Sequence, residues 1–245
     1  MNEMTNETTG SGGGTDERGG GAGDGRGAHV EDAARNASEY FQGDDAGAPR
    51  ERIVSAASHL FRRFGFRAVG VDLIAKESDV AKMTMYRYFD SKDDLIVEFL
   101  QREDRSLRSW LHDVTCQVDG SGPALKAFFR ALESRTLDPK CFGCPFQIAA
   151  TEFPDADHPA NRQARRHKAW MREVISEWVR QTGRRNVEET TEQLYVLVEG
   201  AWARARMNLG SPTRGYLVEG ALLLLEGGRF LEAIARSTPD SEHEE

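Results

Sequence analysis

Three cysteines in 245 residues are too few for a disulfide framework. No apolar run is longer than the five residues Ala221–Leu225, far short of the roughly 20 that cross a bilayer, and the opening residues have no apolar core of a signal peptide. These absences predict a soluble, cytoplasmic protein with no membrane contact. Strict apolar–polar alternation and internal repeats are also missing, so neither a sheet protein nor a solenoid is expected. Residues 1–48 lack nearly all large apolar side chains before Tyr40 and Phe41, yet hold 12 of the 24 glycines. Such a segment buries too little surface to offset its ordering entropy and is expected to be a disordered arm, as is a short acidic tail over 238–245.

Charge is distributed as unevenly as glycine. The chain carries a net −8, but residues 1–48 hold ten acids against three arginines, whereas residues 49–95 hold seven acids against nine bases. The whole-chain pI therefore says little about the surface near residue 80. Apolar residues from Pro49 onward recur at helical spacing. Ile53, Ala56, Ala57, Leu60, Phe61 and Phe64 form one stripe, with Pro49 placed to open a helix and Gly65 to close it. Later stripes run through Leu125, Phe128, Phe129 and Leu132, then through Ala164, His167, Met171, Val174, Ile175 and Trp178. Two further helices are expected around 188–209 and 213–235. The fold class is all-α.

Between the first helix and residue 95 the chain reads "GFRAVGVDLIAKESDVAKMTMYRYFDSK". Val71, Ile74 and Ala75 make one short apolar face, Ser78-Asp79 interrupts it, and Val80, Met85 and Phe89 make another, predicting helix, tight turn, helix. At 100° per residue Met85 and Phe89 point one way, and Met83, Thr84 and Arg87 the other, flanked by Tyr86 and Tyr88. A short third helix is expected from Asp90-Ser91, with Asp94 in capping-box position. A polar, aromatic helix on a compact support suits the major groove of double-stranded DNA. Arg87 suits a guanine or a phosphate, Thr84 a base edge, the tyrosine hydroxyls reach phosphates, and Lys92 sits in the first turn of the next helix, where an anion is favoured.

The stretches "FRRFGFRAVGVDLIA" and "VAKMTMYRYFDSKDDL" resemble the DNA-binding domain of the tetracycline-repressor (TetR) family over about 50 residues. The resemblance implies that Lys82, Met83, Thr84, Tyr86, Arg87 and Tyr88 lie on the recognition helix and that Lys92 contacts a phosphate. Three positions depart from the family pattern. Gly70 stands where a threonine often caps the second helix, Asp79 replaces the usual turn glycine, and Ala81 replaces a capping serine. The resemblance further implies an N-terminal three-helix helix-turn-helix domain over 49–95 and a larger helical domain over 96–237. The latter would bind a small effector and form a homodimer through the last two helices. A stripe of Leu194, Leu197, Val198, Ala201, Trp202 and Ala205, with the many-sided apolar "YLVEGALLLLEGGRF", agrees with a partner surface. The candidate effector pocket draws on Phe128, Cys144, Gln147, Glu152, His167, Trp170, Tyr195 and Trp202, an apolar set with a few groups able to orient a ligand.

Cys141-Phe-Gly-Cys144 is a C-x-x-C and admits a thiol redox enzyme or sensor as an alternative, and a helical adaptor without DNA is another. A zinc site would show a second paired motif and a thioredoxin-type site a βαβ context; both are missing, so neither a metal nor a cofactor is expected. "GCPFQIAATEFPDADHPA" also resembles a stretch found in one branch of the TetR family. Glu152, Asp155, Asp157 and His158 around Pro154 and Pro159 read as a helix end, a turn and a helix start, with Asp157 as N-cap, and no catalytic residue is assigned.

Overall fold

The computed structural model describes residues 47–207 and 215–237, with backbone alone for 227–237. All but two residues of the expected N-terminal arm, and the whole of the expected tail, lie outside the described residues. Nine helices make up the described fold: α1 (Pro49–Phe64), α2 (Val71–Glu77), α3 (Lys82–Tyr88), α4 (Lys92–Thr115), α5 (Ser121–Thr136), α6 (Pro145–Glu152), α7 (Pro159–Gln181), α8 (Val187–Met207) and α9 (Tyr216–Ser237).

Pro49 opens α1, since the first turn needs no amide donor there, and Gly65 at φ +82° ends it. One face buries Ile53, Val54, Ala57, Leu60 and Phe61 completely. Phe61, Phe66 and Phe99 then form an aromatic triangle with centroids 5.2, 5.7 and 5.9 Å apart, locking α1 and the loop after it onto α4. The turn between α2 and α3 is made by Ser78, whose hydroxyl donates to Ile74 O at 2.7 Å, and by Asp79, which takes φ 49°. Asp79 therefore adopts the left-handed conformation for which glycine is the usual residue. Neither Gly70 nor Ala81 supplies a side-chain cap to the helix it precedes.

α4 differs from expectation. Ser91 does cap it, accepting the Asp94 N–H at 3.1 Å, but the helix is 24 residues long and runs on past residue 95. Its first turns bury Leu95, Ile96, Phe99 and Leu100 under α1; its later turns bury Leu107 and Leu111 in the larger bundle. The apolar stripe continues without a breaker, so nothing ends the helix at the boundary between the two halves. Within the larger half, α7 is central, packing against α4, α5, α6 and α8, while α9 lies on α5 and α8. Glu133 of α5 holds the start of α9 by accepting the N–H groups of Gly215 and Leu217, both at 3.0 Å.

The expected Asp157 cap is corrected by one position. His158 caps α7, its Nδ1 accepting the Ala160 N–H at 3.2 Å, whereas the Asp157 carbonyl takes the Arg162 guanidinium. Pro159 occupies the first helical position, and the residue before a proline is driven to extended backbone, which makes that residue the cap.

Candidate functional site

On α3 the two-sided pattern is realised in three dimensions. Met85 is fully buried and Phe89 nearly so, which fixes the rotation of the helix; Lys82, Met83, Tyr86, Arg87 and Tyr88 then face solvent, and Thr84 is half-buried. Met83, a large apolar side chain, is 77 % exposed. Lys82 is engaged by the Asp72 carboxylate of α2 at 2.7 Å, a hydrogen bond that also raises its ammonium pKa. Lys92 is half-buried, and burial pushes its ammonium pKa down, against the pull of Asp93 and Glu152. The exposed face offers donors, acceptors, an aromatic pair and a guanidinium on one short rigid element, a chemistry suited to base edges and phosphates.

A polar network braces this unit against α4. Arg102 donates to both oxygens of Glu51, at 2.7 and 2.9 Å, and to Glu98 at 2.8 Å; Arg50 reaches Glu98 at 3.0 Å. The hydrogen bonds from Arg102 hold both carboxyls below the usual carboxylate range. Arg62 at the end of α1 pairs with the nearly buried Glu103 of α4.

The candidate effector residues fall into three groups. Phe128, Cys144, His167 and Trp202 line one interior cavity, together with Trp110 and Met171. Gln147 and Tyr195 stand behind its polar end: Gln147 donates to both the carbonyl and the carboxylate of Glu199, at 2.9 and 2.7 Å, and the Tyr195 hydroxyl reaches Lys168 O at 3.4 Å. Lys168 itself bonds Glu199 at 2.5 Å. Trp170 packs under the Arg108 guanidinium, 3.9 Å from its centroid, and is outside the cavity lining. Glu152 is elsewhere altogether, at the junction with the N-terminal unit, where it accepts the Phe66 and Arg67 N–H groups.

His167 is the most constrained of the set. Its ring lies on Phe146, with centroids 3.7 Å apart, and its Nδ1 is 2.6 Å from Asp104. Burial lowers its pKa and outweighs the opposing pull of Asp104, so the neutral imidazole donates Nδ1–H to the carboxylate. Burial works to raise the Asp104 carboxyl, but the hydrogen bonds from Arg108 and His167 outweigh it and the net shift is downward. The cavity holds about 10 Å³, room for about one water molecule, so the side chains around it are packed almost solid.

Both thiols of the C-x-x-C are shifted away from reactivity. Cys144 is buried and Cys141 partly so, and burial pushes each thiol up from its ordinary value. A thiolate is the nucleophile in redox and metal chemistry, and neither site favours one. Among the described residues no group of three or more His, Cys, Asp or Glu is placed to hold a metal ion, and no helix is long and apolar enough to cross a membrane.

The junction roles of Glu152 and Arg206 escaped the reading of the sequence. Arg206, near the end of α8, donates from Nη1 to Arg62 O at 3.0 Å, Arg63 O at 3.3 Å and Phe142 O at 3.4 Å, satisfying the C-terminal carbonyls of α1. Gly143 backs directly onto it: at φ +85°, a Cβ there would lie 2.7 Å from the Arg206 Cβ. No local pattern marks the role of Glu152 or Arg206, because each finds its partners more than 60 residues away.

Residues 53–99 match the family described as bacterial regulatory proteins, tetR family. The HTH-type transcriptional regulator LmrA of Bacillus subtilis is 26 % identical over 159 residues, which span 63 % of this chain and 84 % of that protein. A TetR-family transcriptional regulator from Streptomyces coelicolor superposes with a TM-score of 0.64 at 26 % identity, covering 76 % of this chain and 95 % of the other. A second regulator, from Streptomyces avermitilis, gives a TM-score of 0.68 at 27 % identity over 75 % and 99 % of the two chains.

Proposed function

Because the chain belongs to the TetR family of DNA-binding transcriptional regulators, we propose that it is a ligand-responsive repressor that binds a pseudo-palindromic operator as a homodimer. The observation that carries the reading is the face of α3, where Met83, Tyr86, Arg87 and Tyr88 stand exposed on a helix anchored by Met85 and Phe89. In this reading Arg87 and Thr84 contact bases, Lys82 exchanges Asp72 for DNA, and the tyrosines and Lys92 position the helix on phosphates. Two readers related by a two-fold axis meet successive major grooves about 34–36 Å apart, which matches an inverted repeat.

The dimer forms through α8 and α9. Val196, Tyr216 and Leu223 are all more than 60 % exposed on these helices in the isolated chain, and a second copy covers them. The effector enters between α4, α5, α7 and α8, with Phe128, His167 and Trp202 as walls and Gln147, Glu199 and Lys168 as its polar end. Since the present cavity takes one water, the ligand binds a more open conformer and shifts the population toward it. Opening moves α4, which runs into the DNA-binding unit, and α8, which grips α1 through Arg206.

Footprinting of the purified protein on the DNA flanking its own gene tests the reading. Protection of an inverted repeat supports it; uniform, sequence-independent binding refutes the operator. Effector screening then uses quenching of Trp202 and Trp110 fluorescence, both lining the cavity, with operator present and absent. Linkage requires that the operator weaken effector binding by the factor by which effector weakens operator binding.

A further inference from the structure

Beside the closed cavity lies a second, open one that the DNA-binding and effector readings leave unused. It is a cleft of about 260 Å³ between the end of α1, the middle of α4, the end of α5 and the loop before α6. Leu107 and Trp202 line both spaces. Phe142 and Pro145 complete an apolar wall. Three cations line the rim: Arg62, Arg135 and Lys140.

Their pairing decides what the cleft attracts. Arg62 is matched by Glu103, which cancels both charges. Asp138 uses one carboxylate oxygen to accept the Lys140 N–H at 2.8 Å and so holds the loop in its turn. Arg135 is different. It is half-buried, its guanidinium lies 5.3 Å from the Trp110 centroid and 5.9 Å from that of Trp202, and no carboxylate or carbonyl accepts from it among the described residues. A guanidinium held against two indoles keeps its planar fork of donors oriented while its hydrogen bonds remain unsatisfied by protein.

We propose that this cleft binds a small aromatic carboxylate, its carboxylate taken by the fork of Arg135 with help from Lys140, and its ring lying on the wall made by Trp202, Leu107 and Phe142. A planar anion suits the guanidinium because two parallel charge-assisted hydrogen bonds form at once. The volume admits a single ring with a short substituent. The site is separate from the internal effector cavity, and its occupancy is measured on the protein alone, so the outcome is independent of any operator. Asp138 opposes an anion in the cleft, and its removal therefore acts in the reverse sense to removal of Arg135.

The test titrates the full chain with benzoate, and with neutral benzamide as the isosteric control, by calorimetry and tryptophan fluorescence. Saturable benzoate binding, at least about tenfold tighter than benzamide, is expected. Arg135→Gln abolishes the preference, Asp138→Asn strengthens benzoate binding while keeping the oxygen that accepts the Lys140 N–H, and Arg166→Gln on the exposed face of α7 changes nothing. Equal binding of the two probes, no saturable benzoate binding, or an unchanged preference in Arg135→Gln overturns the proposal. Should Arg135→Gln melt early, Lys140→Gln and Asp138→Asn carry the test, since both residues are exposed; failure of these two to move benzoate affinity in opposite directions is equally decisive.

Discussion

Glu152 Oε2 accepts the backbone N–H of Phe66 at 2.9 Å and that of Arg67 at 2.7 Å, joining the end of α6 to the loop between α1 and α2. The Arg67 Nε returns the contact to Glu152 O at 2.7 Å, and Phe153 packs against Phe66 with centroids 5.9 Å apart. Gly65 has to be glycine here: it sits at φ +82°, and a Cβ would collide with Glu152 Oε1. The carboxylate thus orients the N-terminal unit relative to the bundle.

Glu152→Ala is expected to destabilise the protein by about 1–3 kcal/mol, because two amides lose a charge-assisted acceptor. The amides of Phe66 and Arg67 should exchange with solvent faster than those of α7, read by hydrogen exchange with mass spectrometry. Unchanged exchange at these two amides would show that another group holds the loop.

Arg87 and Lys92 should separate in their effects on DNA. Arg87→Ala changes the order of preference among operator variants, costing about 1–3 kcal/mol at the base it reads. Lys92→Ala weakens every sequence alike and reduces the salt slope by about one. Competition binding at several salt concentrations distinguishes them, and a uniform loss for both variants removes base reading from Arg87.

Stability should fall on mild acidification. Burial holds the His167 imidazole below its ordinary value of about 6.5, and burial, aided by Arg63 and Arg62 against Glu77, does the same for His59. Below about pH 6.5 the unfolded chain takes up protons that the folded chain does not, so stability is whole above that value and declines as pH drops through it. The lowered Asp104 carboxyl acts only further down, losing its contribution as pH falls through its folded value, below the ordinary carboxylate range. His167→Asn, which keeps a donor for Asp104 but cannot titrate, should flatten the decline below about pH 6.5 in denaturant melts, leaving the share due to His59. An identical decline in the variant would exclude His167 as a source.

The proposed dimer face is tested at Leu223, 69 % exposed on α9. Leu223→Glu places a charge where a second copy would have to bury it, and should convert dimer to monomer in sedimentation analysis while helical content is retained. A dimer of unchanged mass would put the interface on another surface.

Helices, their order and the outward face of α3 were legible in the sequence because each depends on residues three or four apart. Met85 and Phe89 point inward for the same reason that Ala57 and Phe61 do: apolar residues at that spacing share one side of a helix and leave water together. The departures at Gly70, Asp79 and Ala81 were equally readable, since caps and left-handed turns are local events. Local chemistry also set the error at Asp157, where aspartate is the commoner cap but Pro159 dictates that the residue just before it, His158, serves.

What the tertiary structure alone decided is where distant groups meet. The sequence carries the acid at 152 and the arginine at 206, but only packing brings them to the loop after α1 and the last carbonyls of α1. Packing likewise took Glu152 and Trp170 away from the cavity that Phe128, His167 and Trp202 share. It shrank that cavity to the size of about one water, because interlocking side chains fill space to a degree no pattern of apolar residues specifies. The same packing left Arg135 over two indoles with no acceptor among the described residues, an arrangement that one-dimensional spacing cannot encode.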